Sequence, residues 1–251
     1  MIGALLILWR GLGSWRETDI ARFVRLATPT LLGAQQRMTA LTAAYLSRQV
    51  ALLEGRPLQQ APAPTHLVGE ALRGVPLEEE YGRPFHDVWT ALHDGQSLEQ
   101  AVQIGADRLT SLASTDLQLA KTHSAREVLA GADRVVGYRR VLEGPHSCGL
   151  CVVASTQRYH KADLMPIHPG CDCSVAPIVA DKDPGRVLDE QRIGDVHDAI
   201  RERFGHTTAS GRGNGQVPDY RDVLIVHTHG EIGPVLAVRG QAFTGPADLH
   251  T

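Results

Sequence analysis

The clearest hydrophobic pattern along the chain begins at Ser97 and predicts a long amphipathic helix. Ser97-Leu-Glu-Gln100 has the form of a capping box, in which two side chains satisfy backbone N–H groups at the helix start. Residues on one face then recur at alternating spacings of four and three, and the helix is predicted to continue to about Ala130. The members of this stripe are Leu98, Val102, Gly105, Leu109, Leu112, Asp116, Leu119 and His123. We interpret it as the core-facing side of a helical bundle. The alternative is a docking face for a partner helix, with Asp116 and His123 setting the register.

Two further helices are predicted upstream, one on each side of a proline. Apolar residues between positions 14 and 27 recur at spacings of three and four, and Thr28-Pro29-Thr30 then interrupts the pattern. A second helix is predicted from Leu31 to Leu53, and Gly55 is suited to end it. Residues 55 to 85 contain five prolines, so an irregular connection is predicted there.

The chain begins with an apolar run of eight residues, from Ile2 to Trp9. A membrane span needs about 20 apolar residues, so this run is too short to be one. It also lacks the basic residues and the small-residue cleavage site that flank the apolar part of a secretory signal. We therefore expect a buried or partner-docking segment and no membrane span.

The residue pattern changes after Gly131 and predicts a small module of mixed structure. Arg134 to Leu142 alternates in part, as a strand does, and β-prone residues flank the cysteine-rich segment that follows. An amphipathic helix is expected within residues 185–204, and a glycine-rich loop at 205–219. Two short apolar runs near the end of the sequence predict a closing hairpin.

The overall composition is that of an ordinary soluble globular protein. Of the 251 residues, 43% are apolar, 21% are charged and 5% are aromatic. The net charge of −3 argues against a dedicated nucleic-acid binder, which usually carries a basic excess. A local basic group still flanks the cysteine-rich segment: Arg134, Arg139, Arg140, Arg158 and Lys161. These residues could contact DNA phosphates, and the alternative is a solvated basic face.

All four cysteines fall in one short segment that offers five candidate metal ligands. Cys148 and Cys151 form a C-x₂-C pair, and His168, Cys171 and Cys173 follow on a Pro-Gly turn. The spacing is close to that of two-knuckle structural zinc sites, and it leaves Cys₄ and Cys₃His ligand sets both open. Because so many soft ligands close a site, they favour a structural zinc ion over a catalytic one. Buried or disulfide-paired cysteines are the alternative.

These patterns together predict an α+β fold. A helical N-terminal region is followed, from about residue 131, by a small zinc-stapled α+β module with short strands and a C-terminal hairpin.

The sequence favours a non-enzymatic role. A cysteine nucleophile needs a nearby base and an oxyanion pocket, and nothing distinguishes one of the four cysteines from the others. His227-Thr-His229 resembles the paired histidines of metal-dependent isopeptidases, but no serine follows it as such sites require. Gly211 to Gly215 lacks the terminal Lys-Ser/Thr of a P-loop. No catalytic residue is therefore assigned.

The cysteine-rich segment also resembles a known family. Gly137 to Leu142, Cys148 to His160 and Leu164 to Cys173 are similar to the Mu F-like minor head proteins of tailed phages, particularly the actinobacteriophage version. In that family a C-x₂-C pair is followed by an aromatic residue and then by a His-Pro-x-Cys-x-Cys turn. The stretch from Val226 to Leu236 is similar to the C-terminal part of the same group.

This resemblance implies a minor capsid protein that lies inside the head near the portal vertex, after assembly in the host cytoplasm. It implies a role in head assembly, DNA packaging or ejection, with the portal protein and the major capsid protein as partners and non-specific contact to packaged DNA. Residues 1–131 would form the portal- or capsid-docking region, and residues 132–251 the Mu F-like zinc-binding module. Many actinophage relatives are labelled capsid maturation proteases, so cleavage of the major capsid protein is the alternative function.

Overall fold

Four helices and a small antiparallel sheet make up most of the described chain. A computed structural model describes residues 1–142, 151, 154–155, 157–167, 173–180 and 182, together with the strands at 224–229 and 233–238. The helices are α1 (Ile2–Arg10), α2 (Glu17–Glu54), α3 (Leu77–His93) and α4 (Leu98–Ala130). The predicted combination of helices with a small sheet is confirmed in this coarse form. None of the helices in these ranges has the length and apolar character needed to cross a bilayer.

The sheet has one central strand with an antiparallel neighbour on each side. Its strands are β1 (Val135–Val141) at the centre, β2 (Arg158–His160) and β3 (Ser174–Val179). Tyr138 of β1 lies opposite Tyr159 of β2, and Arg140 lies opposite Val175 of β3.

The two strands predicted near the end of the sequence also pair with each other. They are β4 (Leu224–His229) and β5 (Gly233–Val238), and they run antiparallel. The helix predicted within 185–204 and the loop predicted at 205–219 lie outside the described residues.

The chain divides into two compact units, and the division falls inside two of the helices. The first unit comprises Met1–Tyr45 and Ala61–Ser124, and the second comprises Leu46–Gln60 and Ala125–Thr251. The last turns of α2 and α4 therefore belong to the unit that contains the sheet. The functional regions 1–131 and 132–251 stay a prediction.

Aromatic residues from three helices form the core of the first unit. Trp9 of α1, Phe23 of α2 and Phe85 of α3 are fully buried. The rings of Trp9 and Phe85 meet edge to face with centroids 4.9 Å apart, and the Trp9 indole N–H donates to the Val102 carbonyl of α4 at 3.1 Å. Helix α4 can approach this closely because Gly105 has no side chain: a Cβ there would lie 2.6 Å from Trp9 Cζ2. The apolar N-terminal run is therefore anchored in the core through Trp9.

The predicted helix break at Thr28-Pro29-Thr30 is wrong, because α2 continues through Pro29. Proline removes one N–H donor and crowds the preceding turn of a helix. The residues on either side are nevertheless held in the core, since Ala27 and Leu31 are fully buried. The Thr28 hydroxyl donates to the Val24 carbonyl at 2.7 Å, within the turn that proline disturbs. Packing outweighs the local preference here.

The irregular connection predicted for residues 55 to 85 is wrong in its last part, because α3 begins at Leu77. Pro76 stands at the N-cap, where no intrahelical N–H bond is required of it. Pro84 lies inside the helix, flanked by Tyr81 and Phe85, which are fully buried. Because these two aromatic residues lie four positions apart on one face, core packing holds the helical turn around the proline.

Helix α4 begins and packs as its sequence pattern predicts. The Gln100 backbone N–H donates to the Ser97 hydroxyl at 3.2 Å, and the Ser97 N–H donates to the Gln100 side-chain oxygen at 3.0 Å. These two bonds are the predicted capping box. Leu109 and Leu119 are fully buried, which confirms the core-facing interpretation for this part of the stripe, whereas Leu98 at its start is 56% exposed.

Candidate metal centre

Two of the five candidate metal ligands lie in the described part of the chain. Cys151 is 1% exposed and Cys173 is 5% exposed, and both belong to the second unit. Cys148, His168 and Cys171 lie outside the described residues. Within the described ranges no group of three potential ligands comes together, and those ranges omit three of the five candidates. The zinc site therefore stays a prediction.

The central strand β1 places a guanidinium beside the Cys173 thiol. Cys173 directly precedes β3, and the register that pairs Val141 with Ser174 brings Arg140 close to it. Arg140 Nη1 donates to Cys173 Sγ at 3.5 Å, and Arg140 Nη2 donates to the Met165 carbonyl. Arg140 is only 3% exposed. A buried guanidinium therefore lies within hydrogen-bond distance of the sulfur of one candidate ligand.

Two stacked tyrosines lie next to this guanidinium. The rings of Tyr138 and Tyr159 are 5.1 Å apart and inclined by 17°, and Arg140 Cζ lies 5.9 Å from the Tyr138 centroid. The Tyr138 hydroxyl donates to the Asp163 carbonyl and the Tyr159 hydroxyl to the Ala154 carbonyl, each at 3.0 Å. Burial raises the pKa of Tyr138 to about 12, and burial also raises the pKa of Tyr159. Both phenols therefore remain protonated hydrogen-bond donors near neutral pH.

These contacts fix the chain close to several candidate ligands. Ala154, which accepts the Tyr159 hydroxyl, lies three residues after Cys151. Met165, which accepts from Arg140, lies three residues before His168. Strands β1 and β2 also approach closely at Gly137, where an added Cβ would collide with the carbonyl of Tyr159. The sheet therefore contacts the backbone at Ala154 and at Met165, each of which is three residues from a candidate ligand in the sequence.

The donor set and its described surroundings fit a zinc ion. Thiolates and imidazole are the preferred ligands of structural zinc, whose sites are closed to water. Cys151 and Cys173 are buried, as ligands of a site closed to water should be. The guanidinium beside Cys173 would offset negative charge on its sulfur. The ligands would come from Cys148, Cys151, His168, Cys171 and Cys173, in a Cys₄ or a Cys₃His set.

The five basic residues predicted to contact DNA divide into exposed and buried groups. Arg134 and Arg158 are exposed. Lys161 is half-buried, and its ammonium donates at 3.4 and 3.1 Å to two backbone carbonyls at the C-terminal end of α4 and just beyond it. Arg139 and Arg140 are 6% and 3% exposed. In this structure the exposed pair is the part of the group that a phosphate backbone could reach.

A buried polar cluster lies in the first unit, and only one of its residues stands out in the sequence. Arg73 Nε lies 2.5 Å from Glu80 Oε1 and 2.8 Å from Asp116 Oδ1. Asp116 Oδ2 accepts from the Tyr81 hydroxyl at 2.5 Å and from the Gln35 amide at 3.4 Å. The sequence signal is Asp116, which interrupts the apolar stripe of α4. No sequence pattern points to Arg73 or Glu80, because they meet Asp116 only in the folded chain.

Burial dominates the electrostatics of this cluster. Burial, and after it the Asp116 carboxylate, raises the pKa of Glu80 to about 8 despite the opposing effect of Arg73. Burial also raises the pKa of Tyr81 well above its ordinary value. The side chains of Arg73, Glu80 and Asp116 are each 1% to 2% exposed. Arg73 contacts Glu80 of α3 and Asp116 of α4, so the cluster links these two helices through buried polar contacts.

Comparison with protein-family models, with curated proteins and with solved structures finds no match for this chain. The described residues therefore define it only as a mixed helix-and-sheet protein, in which Cys151 and Cys173 are buried and Cys173 lies beside a buried guanidinium. The resemblance to a phage family rests on the residues of the cysteine-rich segment.

Proposed function

We propose that the chain is a Mu F-like minor head protein of a tailed phage, with a structural role near the portal. The cysteine-rich segment carries this proposal, because its C-x₂-C pair, aromatic residue and His-Pro-Gly-Cys-Asp-Cys turn follow the order of the family pattern. The aromatic residue in that order is Tyr159, which is stacked on Tyr138 in the sheet. A packing role for this residue supports the resemblance.

In this proposal a zinc ion staples the second unit and takes no part in catalysis. Support comes from the burial of Cys151 and Cys173 and from the Arg140 guanidinium beside the latter. A sheet with strands of seven, three and six residues has few positions for an apolar core. Metal binding can supply the missing folding free energy in such small modules.

The first unit is the proposed docking region for the portal or the capsid. Its helices expose large apolar side chains at Ile7 (73%), Leu26 (47%) and Leu41 (67%). Permanent protein interfaces are rich in apolar side chains, and a docking face on this unit would use these three. In the second unit, the exposed Arg134 and Arg158 offer non-specific contacts to packaged DNA.

Co-expression of the chain with the portal and major capsid proteins tests the proposed location. The chain should copurify with assembled heads, and only when the portal protein is present. Heads that contain the portal and lack the chain would contradict the proposal.

The same preparation separates the structural role from the alternative, a capsid maturation protease. Under the structural role, Cys148→Ser unfolds the second unit and releases metal, and the wild-type chain leaves the major capsid protein uncleaved. Under the protease alternative, one Cys or His substitution abolishes cleavage while the fold and stoichiometric zinc remain. That second pattern would overturn the proposal.

A further inference from the structure

Arg140 joins the two ends of the chain segment that contains His168 and Cys171. Its Nη2 donates to the carbonyl of Met165, before that segment, and its Nη1 donates to the sulfur of Cys173, after it, at 3.5 Å. Arg140 and Cys173 are 33 residues apart in the sequence, and the pairing of β1 with β3 brings them together. A single guanidinium therefore contacts both points.

We propose that Arg140 is a positioning residue of the metal centre, whose guanidinium orients the sulfur of Cys173. This inference rests on the proposed zinc site, to which it adds a residue that supplies no ligand atom. Groups that hydrogen-bond to metal ligands set the direction of those ligands and balance their charge. Thiolate-rich zinc sites carry net negative charge, and a buried cation next to one sulfur offsets part of it.

The geometry requires arginine in particular. A guanidinium is planar and holds its donors at fixed angles, so one group can address a sulfur and a carbonyl at the same time. The Tyr138 ring, 5.9 Å from Arg140 Cζ, limits rotation of that plane. A lysine at this position would keep the charge, but its donors would all lie on one nitrogen, without the fixed spacing of the two Nη atoms that reach the sulfur and the carbonyl.

This role differs from the phosphate contact that the sequence suggests for Arg140. Two protein acceptors occupy its Nη atoms and only 3% of the residue is exposed. Arg158 belongs to the same sheet and to the same predicted basic group, but it is exposed. It therefore provides a matched control with the same change of charge.

The test compares Arg140→Lys and Arg140→Gln with Arg158→Gln and the wild type. Zinc affinity is measured by competition with a chromophoric chelator, and ligand geometry by the thiolate absorption bands of the Co²⁺-substituted protein. Loss of a group that supports a metal ligand weakens binding about 10- to 100-fold, and we expect that loss in Arg140→Gln. Arg140→Lys should recover part of the affinity but retain altered Co²⁺ bands. Arg158→Gln should match the wild type in both measurements.

Failure of the zinc site and failure of this inference give different results. A wild-type chain without bound zinc and without Co²⁺–thiolate bands overturns the proposed site and the inference with it. A wild-type chain with both, accompanied by Arg140 variants of unchanged affinity and bands, overturns the inference alone.

A measurement on the wild type covers the case in which neither Arg140 variant folds. The guanidinium ¹⁵N–¹H resonances of Arg140 should shift and become protected from water exchange when zinc is added. Resonances that do not respond to zinc would contradict the proposed role.

Discussion

Glu80 and Asp116 present two carboxyl groups to one buried guanidinium, that of Arg73. Because burial and the Asp116 charge raise the pKa of Glu80 from its ordinary 4.5 to about 8, the folded protein binds more protons than the unfolded chain between these values. The resulting contribution to stability is fully present below pH 4.5 and is lost as the pH rises through about 8. The single residue thus makes the stability of the first unit depend on pH.

We expect the free energy of unfolding of the first unit to fall by on the order of 1 kcal/mol or more between about pH 5 and about pH 9. Glu80→Gln should flatten this dependence, because an amide cannot lose the proton. Urea unfolding followed by tryptophan fluorescence measures the effect, since all three tryptophans (Trp9, Trp15 and Trp89) belong to this unit. Equal pH dependence in the variant and the wild type would contradict the assignment.

Gly105 allows a close approach of α4 to the aromatic core. A Cβ at this position would lie 2.6 Å from Trp9 Cζ2 and 2.7 Å from Val88 Cγ2. Alanine normally stabilises a helix interior by about 1 kcal/mol relative to glycine. Overpacking typically costs about 1–3 kcal/mol, so we expect Gly105→Ala to be destabilising overall.

Gly3→Ala is the matched control for this substitution. Gly3 also lies inside a helix, α1, but an added Cβ there meets no atom within 4 Å. Urea unfolding should show a gain in stability for Gly3→Ala and a loss for Gly105→Ala. A gain in both would show that the contact at Gly105 relaxes without cost.

At the scale of residues, the sequence predicts chemistry better than it predicts surroundings. Asp116 is visible because it interrupts an apolar stripe. Arg140 is visible as a basic residue, but its burial depends on strand pairing across 33 residues. A phosphate contact and a buried contact to sulfur are therefore indistinguishable before the fold is known.

At the scale of elements, Pro29 is the clearest conflict between local preference and structure. Proline inside a helix costs about 3 kcal/mol, and α2 tolerates it because its neighbours are buried. We expect Pro29→Ala to stabilise the chain by about 1 kcal/mol or more, because it restores a helical N–H donor at an exposed position. The greater freedom of the unfolded chain without this proline offsets part of the gain. Thermal and urea unfolding measure the change.

Pro76→Ala is the control for Pro29→Ala. Pro76 occupies the N-cap of α3 and has no intrahelical bond to restore, so its replacement should change stability by less than about 0.5 kcal/mol. Equal effects at the two prolines would show that helix position does not explain them.

The elements also show which signals are local. The capping box at Ser97 is complete within four residues, and both of its bonds form as the sequence predicts. Helix α3 is not predicted from the sequence, and over its first half Pro76 and Pro84 indicate an irregular segment instead. What makes α3 helical is the core contact of Tyr81 and Phe85, which depends on the other helices.

At the scale of the whole molecule, the units do not follow the change in sequence pattern at residue 131. The last turns of α2 and α4 belong to the second unit, although their composition matches the helices of the first. Composition reports which elements form, whereas contacts between distant segments decide the compact unit to which an element belongs. In the same way, ligand spacing predicts the cysteine-rich site, whereas the guanidinium beside Cys173 is brought there by the fold.

The zinc content of the purified chain tests the central claim most directly. Inductively coupled plasma mass spectrometry of the wild type should find one zinc ion per chain, and Cys148→Ser should have lost it. Wild-type protein without stoichiometric zinc, or a Cys148→Ser variant that keeps both its zinc and its fold, would contradict the account of a zinc-stapled structural protein.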